Sequence, residues 1–287
     1  MLVHESMDRL PAIPYPVVTI GSFDGVHMGH RTIINRLNQL AARAGGASVL
    51  VTFHPHPRKV LYPEGAGKEL RLISSREEKC HLLEEAGLDH LIILPFHLEF
   101  ARTDCRDFVV QYLVGKLHAH TVVVGFNHFF GHNKEGNFEL LHRLGQEHGF
   151  QVEEIPEQEI QHETVSSTRI RKALMEGNIQ RANAHLQHLY LVMAPLELRD
   201  GARRAVVRPF DGEKLLPAEG GYAVSVHAGG QTMKALAIVE DGSIHLHALP
   251  GSSFQNGPAM LRFHKHFPGT DGRDPRIALA FVDDLIY

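Results

Sequence analysis

The chain has little cysteine, little net charge and no long apolar run, and each shortage removes a class of explanation. Only two cysteines, Cys80 and Cys105, occur among its 287 residues. Both lie in segments of helical periodicity, so they are expected to stay reduced as ordinary packing or surface residues rather than to form a disulfide. The formal charge of −4 lacks the basic excess of a general nucleic-acid binder, and no nucleic-acid partner is expected. No apolar run approaches the roughly 20 residues of a membrane-spanning helix, so no membrane partner is expected. The opening segment, MLVHESMDRLPAIPYP, has acidic residues and no apolar centre. It does not read as a secretory signal, and cytoplasm is the expected compartment. Internal repeats and low-complexity segments are absent.

What is present is the composition of a soluble globular protein, 43% hydrophobic and 22% charged, long enough for one large domain and a smaller one. Up to about residue 188 strands and helices alternate. Apolar runs at 16–20, 47–53, 88–96, 121–126 and 150–155 read as strands. Helical patterns fall at 75–86, 105–117 and 136–148, with shorter ones near 167–176 and 179–188. Ser75 and Glu78 have the spacing of a capping box, and Asp104 suits an N-cap. After Leu189 the segments shorten and alternate, with turn signals such as Gly229-Gly230 and Asp241-Gly242. The expected fold is α/β: a Rossmann-like parallel-sheet domain over 1–190, then a small antiparallel β-barrel over 191–287.

The most informative stretch is Gly21 to His30, GSFDGVHMGH. It follows an apolar strand and precedes an amphipathic run with Ile33, Leu37, Leu40, Ala41 and Ala44 at helical spacing. Strand-to-helix turns of this kind bind nucleotides in open α/β sheets. Gly25 and Gly29 allow backbone to approach a phosphate, and the helix start offers free N–H donors. His27 and His30, three apart, are expected to share the face beside it. With 22 histidines in the chain, the pair alone would be cheap by chance; the strand, helix and glycines around it give it weight.

Three other segments carry candidate chemistry. Ser166-Ser167-Thr168-Arg169-Ile170-Arg171 opens a helix with three hydroxyls and two guanidiniums, either an anion site or an ordinary solvated first turn. Thr52 to Arg58, TFHPHPR, ends a strand in a proline-stiffened extended loop. Val124 to Gly131, VGFNHFFG, ends another with an amide and several rings, suited to an isoalloxazine or adenine, or simply a partly buried aromatic loop. The pairs His118/His120, His245/His247 and His264/His266 have no third ligand at a convincing spacing. They read as surface histidines, and no metal site is expected.

The first segment resembles the HIGH signature of the nucleotidyltransferase superfamily. In its longer form, Gly-x-Phe-Asp-Gly-x-His-x-Gly-His, it resembles the adenylyltransferase half of the prokaryotic riboflavin kinase/FAD synthetase family. The Thr-Phe-x-Pro-His-Pro loop, the Asn127-His128-x-Phe130-Gly131 loop and the Ser-Ser-Thr-x-x-Arg turn match the same family in the same order. The resemblance implies transfer of AMP from ATP to FMN, giving FAD and pyrophosphate, with magnesium accompanying ATP. It implies that Gly21, Ser22, Phe23, Asp24, Gly25 and Gly29 seat the nucleotide, that His27 and His30 bond phosphate oxygens, and that Ser166, Ser167, Thr168, Arg169 and Arg171 hold the pyrophosphate. It further implies a flavin pocket from Phe53, Pro55, Pro57, Asn127 and Phe130, with His56 or Arg58 near phosphate. Phe129 stands where many members carry a basic or small residue.

Lys214 to Val224 resembles the kinase half of the family. However, Arg199 to Asp211 lacks the Pro-Thr-Ala-Asn signature, and the position of the kinase's catalytic Glu falls near His245. The barrel is therefore expected to lack riboflavin kinase activity. A bifunctional enzyme, a nucleotidyltransferase with another phosphate acceptor and a non-catalytic flavin or nucleotide sensor stay open as rivals.

Overall fold

The computed structural model describes residues 1–126, 128–157, 159–160, 163–209, 212–267 and 282. Asn127, Phe210 and Asp211, each within a segment named above, lie outside the described residues. Along the chain the elements are β1 (Leu2–His4), β2 (Val17–Ile20), α1 (Met28–Ala44), β3 (Ser48–His54), α2 (Pro57–Leu61), α3 (Arg76–Glu85), β4 (His90–Pro95), α4 (Leu98–Ala101), α5 (Cys105–Phe108), β5 (Thr121–Gly125), α6 (Phe138–His148) and β6 (Gln151–Ile155). A short ribbon of β7 (Glu159–Ile160) and β8 (Glu163–Thr164) follows, then α7 (Ser167–Met175), α8 (Ile179–Leu186) and strands β9 (Tyr190–Leu198), β10 (Arg204–Val207), β11 (Gly220–Ala228), β12 (Gln231–Glu240), β13 (Ser243–Ala248) and β14 (Gly257–Phe267).

The chain divides into two compact units, Met1–Leu70 with Cys80–Glu159, and Arg71–Lys79 with Ile160–Tyr287. In the first, all strands of the six-stranded sheet run parallel in the order β1-β4-β3-β2-β5-β6. Strand alternation supplies both faces with apolar residues. Val18, Ile20, Val122 and Val124 meet Phe108, Leu113 and Leu144 in one core, while Val17 and Val123 meet Leu37 and Ala41 in another. From β2 the chain steps outward through β3 and β4, then returns to β5 on the other side of β2. The order reverses there, and the crevice beyond the strand ends at such a point is where open α/β sheets take ligands.

Local signals operate as the sequence suggests. Ser75 N–H donates to Glu78 Oε2 at 2.8 Å while Glu78 N–H donates to Ser75 Oγ at 3.2 Å, a reciprocal capping box. Asp104 accepts from the amides of Arg106 and Asp107 at the start of α5. The single helix expected over 105–117 is instead α5 followed by a π-helical turn, Val109–Val114. The wider turn puts Val109 and Leu113 both in the core, each 0% exposed.

The second unit is a closed antiparallel barrel in the order β10-β13-β12-β11-β14-β9. Its core takes Ile170, Ala173 and Leu174 from α7 and Ile179, Ala182 and Leu186 from α8, beside Tyr190, Val192 and Phe263. The 190/191 boundary expected from the change in strand texture therefore falls inside this unit: both helices spend their apolar faces on the barrel. Residues 71–79 also belong to it. Leu72 N–H donates to Glu213 O and Leu215 N–H to Leu72 O. The Lys214 ammonium reaches Glu78 Oε2 at 2.6 Å, Ile73 O at 2.6 Å and Leu191 O at 2.9 Å.

Candidate active site

The Gly21–His30 turn leaves β2 and is tied down at once. Gly21 N–H donates to Val51 O, and Thr52 Oγ1 donates to Ser22 O at 3.3 Å. The backbone then takes left-handed values at Phe23 (φ 46°), Gly25 (φ 83°) and Val26 (φ 40°). For a β-branched residue this is a genuine outlier, held here because Phe23 and Val26 are anchored in the interior at 3% and 0% exposure. Asp24 is also buried, as suits a residue that orders the turn rather than one that meets solvent. Gly29 opens α1, where an added Cβ would lie 3.4 Å from the His27 ring.

His27 caps α1. Its Nδ1 accepts from His30 N–H at 3.4 Å, a long bond. A neutral His27 in that role carries its proton on Nε2, which makes Nε2 a donor. The His27 and His30 rings stack at 3.6 Å, and Phe23 covers the His30 ring at 4.3 Å. The expected shared face is thus a three-ring stack whose order Phe23 fixes.

Next to this turn lies a cavity of about 1050 Å³, at the upper end of the range for small-molecule sites. Gly21 and Ser22 form part of its wall, and β3, β4 and β5 supply the rest from the segments that follow their carboxyl ends. Its aromatic wall is Phe53, Phe96, Phe100, Phe108, Phe129 and Phe130. Phe53, Phe96 and Phe100 pack mutually at 5.5–5.8 Å, and Phe108 sits 6.3 Å from Phe130. Gly131, at φ 74°, passes so close to α5 that an added Cβ would meet Cys105 at 2.5 Å.

The 52–58 segment differs from the extended loop expected. β3 runs to His54 and α2 starts at Pro57, the first-turn position proline favours. His56 becomes its N-cap, Nδ1 accepting from Arg58 N–H at 3.1 Å. His56, Pro57 and Arg58 line the cavity with Phe53, whereas Pro55 is exposed and outside the lining.

Charge in this cavity is one-sided: Arg58, Arg102 and Lys134 line it, and among the described residues no carboxylate does. Burial pushes the His128 imidazole down to about 4, so the ring is neutral near pH 7 and adds nothing to the charge. Its Nε2 is sealed from solvent with no hydrogen-bond partner among the described residues. Sequence reasoning missed Phe96, Phe100, Arg102 and Lys134. The ring spacing after β4 was a usable signal for the first two; nothing local marked the cations.

In the second unit, Ser166 is the N-cap of α7, its Oγ accepting from Arg169 N–H at 3.4 Å. Thr168 and Arg169 are exposed and Ser167 half-buried. Arg171 is partly committed, its Nε donating to Arg71 O at 2.9 Å.

Of the His-x-His pairs, His118 is exposed and the other five histidines are half-buried, and none falls in a group of three potential metal ligands among the described residues. The group that does, Asp104, Cys105 and Glu135, holds a thiol raised above its ordinary range by burial and then by the carboxylate Asp104. That thiol stays protonated and is a poor ligand.

A parallel sheet with a glycine-rich strand-to-helix turn at its switch point, beside an aromatic and cationic cavity, is the arrangement of nucleotide-handling α/β proteins. Residues 13–169 match the family model described as FAD synthetase, and the chain belongs to that family. It is 30% identical over 228 residues to the bifunctional riboflavin kinase/FMN adenylyltransferase of Listeria monocytogenes, covering 78% of this chain and 71% of that one. It is 31% identical over 241 residues to the protein of the same description from Pseudomonas fluorescens, covering 80% and 76%. A crystal structure described as a macrolide-efflux protein from Streptococcus pneumoniae shares the fold, with a TM-score of 0.82 and 24% identity over 99% of this chain and 95% of that one.

Proposed function

We propose that the protein is an FMN adenylyltransferase, making FAD and pyrophosphate from Mg–ATP and FMN in the cytoplasm. The observation that carries this reading is the cavity itself: aromatic walls for a flat ring system, fixed cations with no carboxylate among the described lining residues, and one edge formed by Gly21 and Ser22. An oxygen of the FMN phosphate attacks the α-phosphorus of ATP. The new P–O bond forms as the bond to the bridging oxygen breaks, and pyrophosphate leaves with that electron pair.

The attacking phosphate is already ionised at neutral pH, so no general base is required. Catalysis is positioning and neutralisation of charge. His27 Nε2–H and the His30 imidazole donate to phosphate oxygens as charge builds on them, and the Gly21–Gly25 backbone seats the nucleotide. Ser166, Ser167, Thr168, Arg169 and Arg171 are assigned to the leaving pyrophosphate on the chemistry of their own helix start. Magnesium enters as Mg–ATP, its ligands supplied by the nucleotide and water.

The barrel is assigned no kinase step. Lys214 is committed to Glu78 and two carbonyls, and His245 stands where the family resemblance places a catalytic Glu. The test is product analysis of the full chain with Mg–ATP, offered FMN and riboflavin separately. FAD from FMN alone is expected. FAD from both would assign a phosphorylation to the barrel and make the enzyme bifunctional. No product from either would favour a sensor or a different acceptor.

A further inference from the structure

The cations Arg102 and Lys134 belong to none of the four family motifs, yet the fold brings them to one cavity wall. Arg102 follows α4 and Lys134 follows the loop after β5. Two hydrogen bonds clamp these segments together: His132 N–H donates to Thr103 O at 3.0 Å, and His132 Nδ1 lies 3.3 Å from Ala101 O. Both side chains are exposed to the cavity, and neither makes an ion pair among the described residues. The adjacent acids do not compensate them there. Asp104 is spent capping α5, and it and Glu135 gather near Cys105, outside the lining.

The backbone adds an independent observation. Asn133 and Lys134 are consecutive non-glycine residues at φ 51° and 61°. Left-handed backbone costs Lys134 roughly 1–2 kcal/mol, whereas asparagine at 133 tolerates it. Neither residue is buried, so core packing does not offset this cost. What the conformation achieves is to present two polar side chains to the cavity, and strain held in this way clusters at ligand-binding sites.

We propose that Arg102 and Lys134 clamp the phosphate of the flavin, and that they make the site select phosphorylated flavin over riboflavin. The inference rests on the flavin reading above. The shared chemistry is a phosphate group, which FMN and ATP both carry. The wall that bears these cations also bears Phe96, Phe100, Phe108 and Phe130, which places the FMN phosphate first.

The test measures dissociation constants of the full-length protein for FMN, riboflavin and a non-hydrolysable ATP analogue with magnesium, in wild type, Arg102→Gln, Lys134→Asn and the double variant. Asparagine tolerates the left-handed backbone at 134, and both positions are exposed, so the variants are expected to fold. Wild type should bind FMN at least tenfold more tightly than riboflavin. The double variant should lose most of that preference, with FMN weakened about 10- to 100-fold and riboflavin and the ATP analogue unchanged; Arg102→Lys should retain part of it. An intact preference for FMN in the double variant overturns the assignment while leaving the flavin reading standing. Weakening of the ATP analogue instead assigns the cations to the nucleotide and overturns it as well. A wild type that binds neither flavin removes the flavin reading and this proposal together.

Discussion

Lys214 in the second unit and Arg58, Arg102 and Lys134 in the first use the same charge for opposite purposes. Lys214 and its partner Glu78 have side chains 1% exposed, and the ammonium points its donors at a carboxylate and two carbonyls, with the Tyr190 ring 4.3 Å away. Glu78 Oε1 in turn accepts from Met193 N–H at 2.8 Å. Every polar group in that cluster has a partner inside the protein, as a buried charge must. The three cavity cations are exposed, and among the described residues no carboxylate shares the cavity lining with them. A cation that serves the fold is satisfied by the fold; in the function proposed above, the cavity cations are left for the ligand to satisfy.

Backbone strain divides the same way. In the barrel, left-handed residues sit at hairpins, as at Asp241-Gly242 (φ 47° and 68°) and Gly229-Gly230 (φ 57° and 77°), where these residue types are at ease. In the first unit Phe23 and Val26 lie in the Gly21–His30 turn and Asn133 and Lys134 on the cavity wall, with Tyr15 (φ 37°) and His118 (φ 51°) elsewhere.

The comparison can be broken at its strongest point first. Glu78→Ala leaves a buried ammonium unpaired and should destabilise the protein by about 3–5 kcal/mol, read by denaturant unfolding. A Glu78→Leu/Lys214→Met pair should lie closer to wild type; equal loss in both would show that the charge is not the cause. His30→Ala should keep the wild-type melting temperature and lose about two to three orders of magnitude in turnover. Near-normal turnover would remove His30 from the mechanism.

Protonation gives a smaller effect. The folded His128 is depressed to about 4 from an ordinary 6.5, so the unfolded chain binds the proton more readily. Its neutral form supports the fold fully above about pH 6.5, and that support is lost as pH falls toward 4. His128→Phe should flatten the decline of stability across that window. Gly25→Ala, at φ 83°, should cost about 1 kcal/mol or slightly more. Smallest of all, Arg36→Gln breaks the two-pronged pair with Glu153 (2.6 and 2.8 Å). Because the pair is open to solvent, denaturant unfolding should show little change in stability.

Much of the fold was legible because its signals are local. The capping box at Ser75/Glu78, the cap at Asp104 and the hairpin turns are each written within four residues. The phosphate turn was legible for the same reason: strand, glycines, paired histidines and helix are contiguous. The 52–58 segment was read less completely. His56 and Pro57 were expected in an extended segment, because a proline pair reads as stiff loop until the second proline is seen to start a helix.

By itself, then, the sequence determined the alternation of strands and helices, the switch to a barrel, and the strand-turn-helix form of the Gly21–His30 segment, since these depend on spacings of two to four residues. Only the tertiary structure decided that α7 and α8 pack with the barrel, that Lys214 meets Glu78 across 136 positions, and that Arg102 and Lys134 share a wall. Those outcomes depend on which apolar faces find each other and on the order in which parallel strands cross, and no local pattern encodes either.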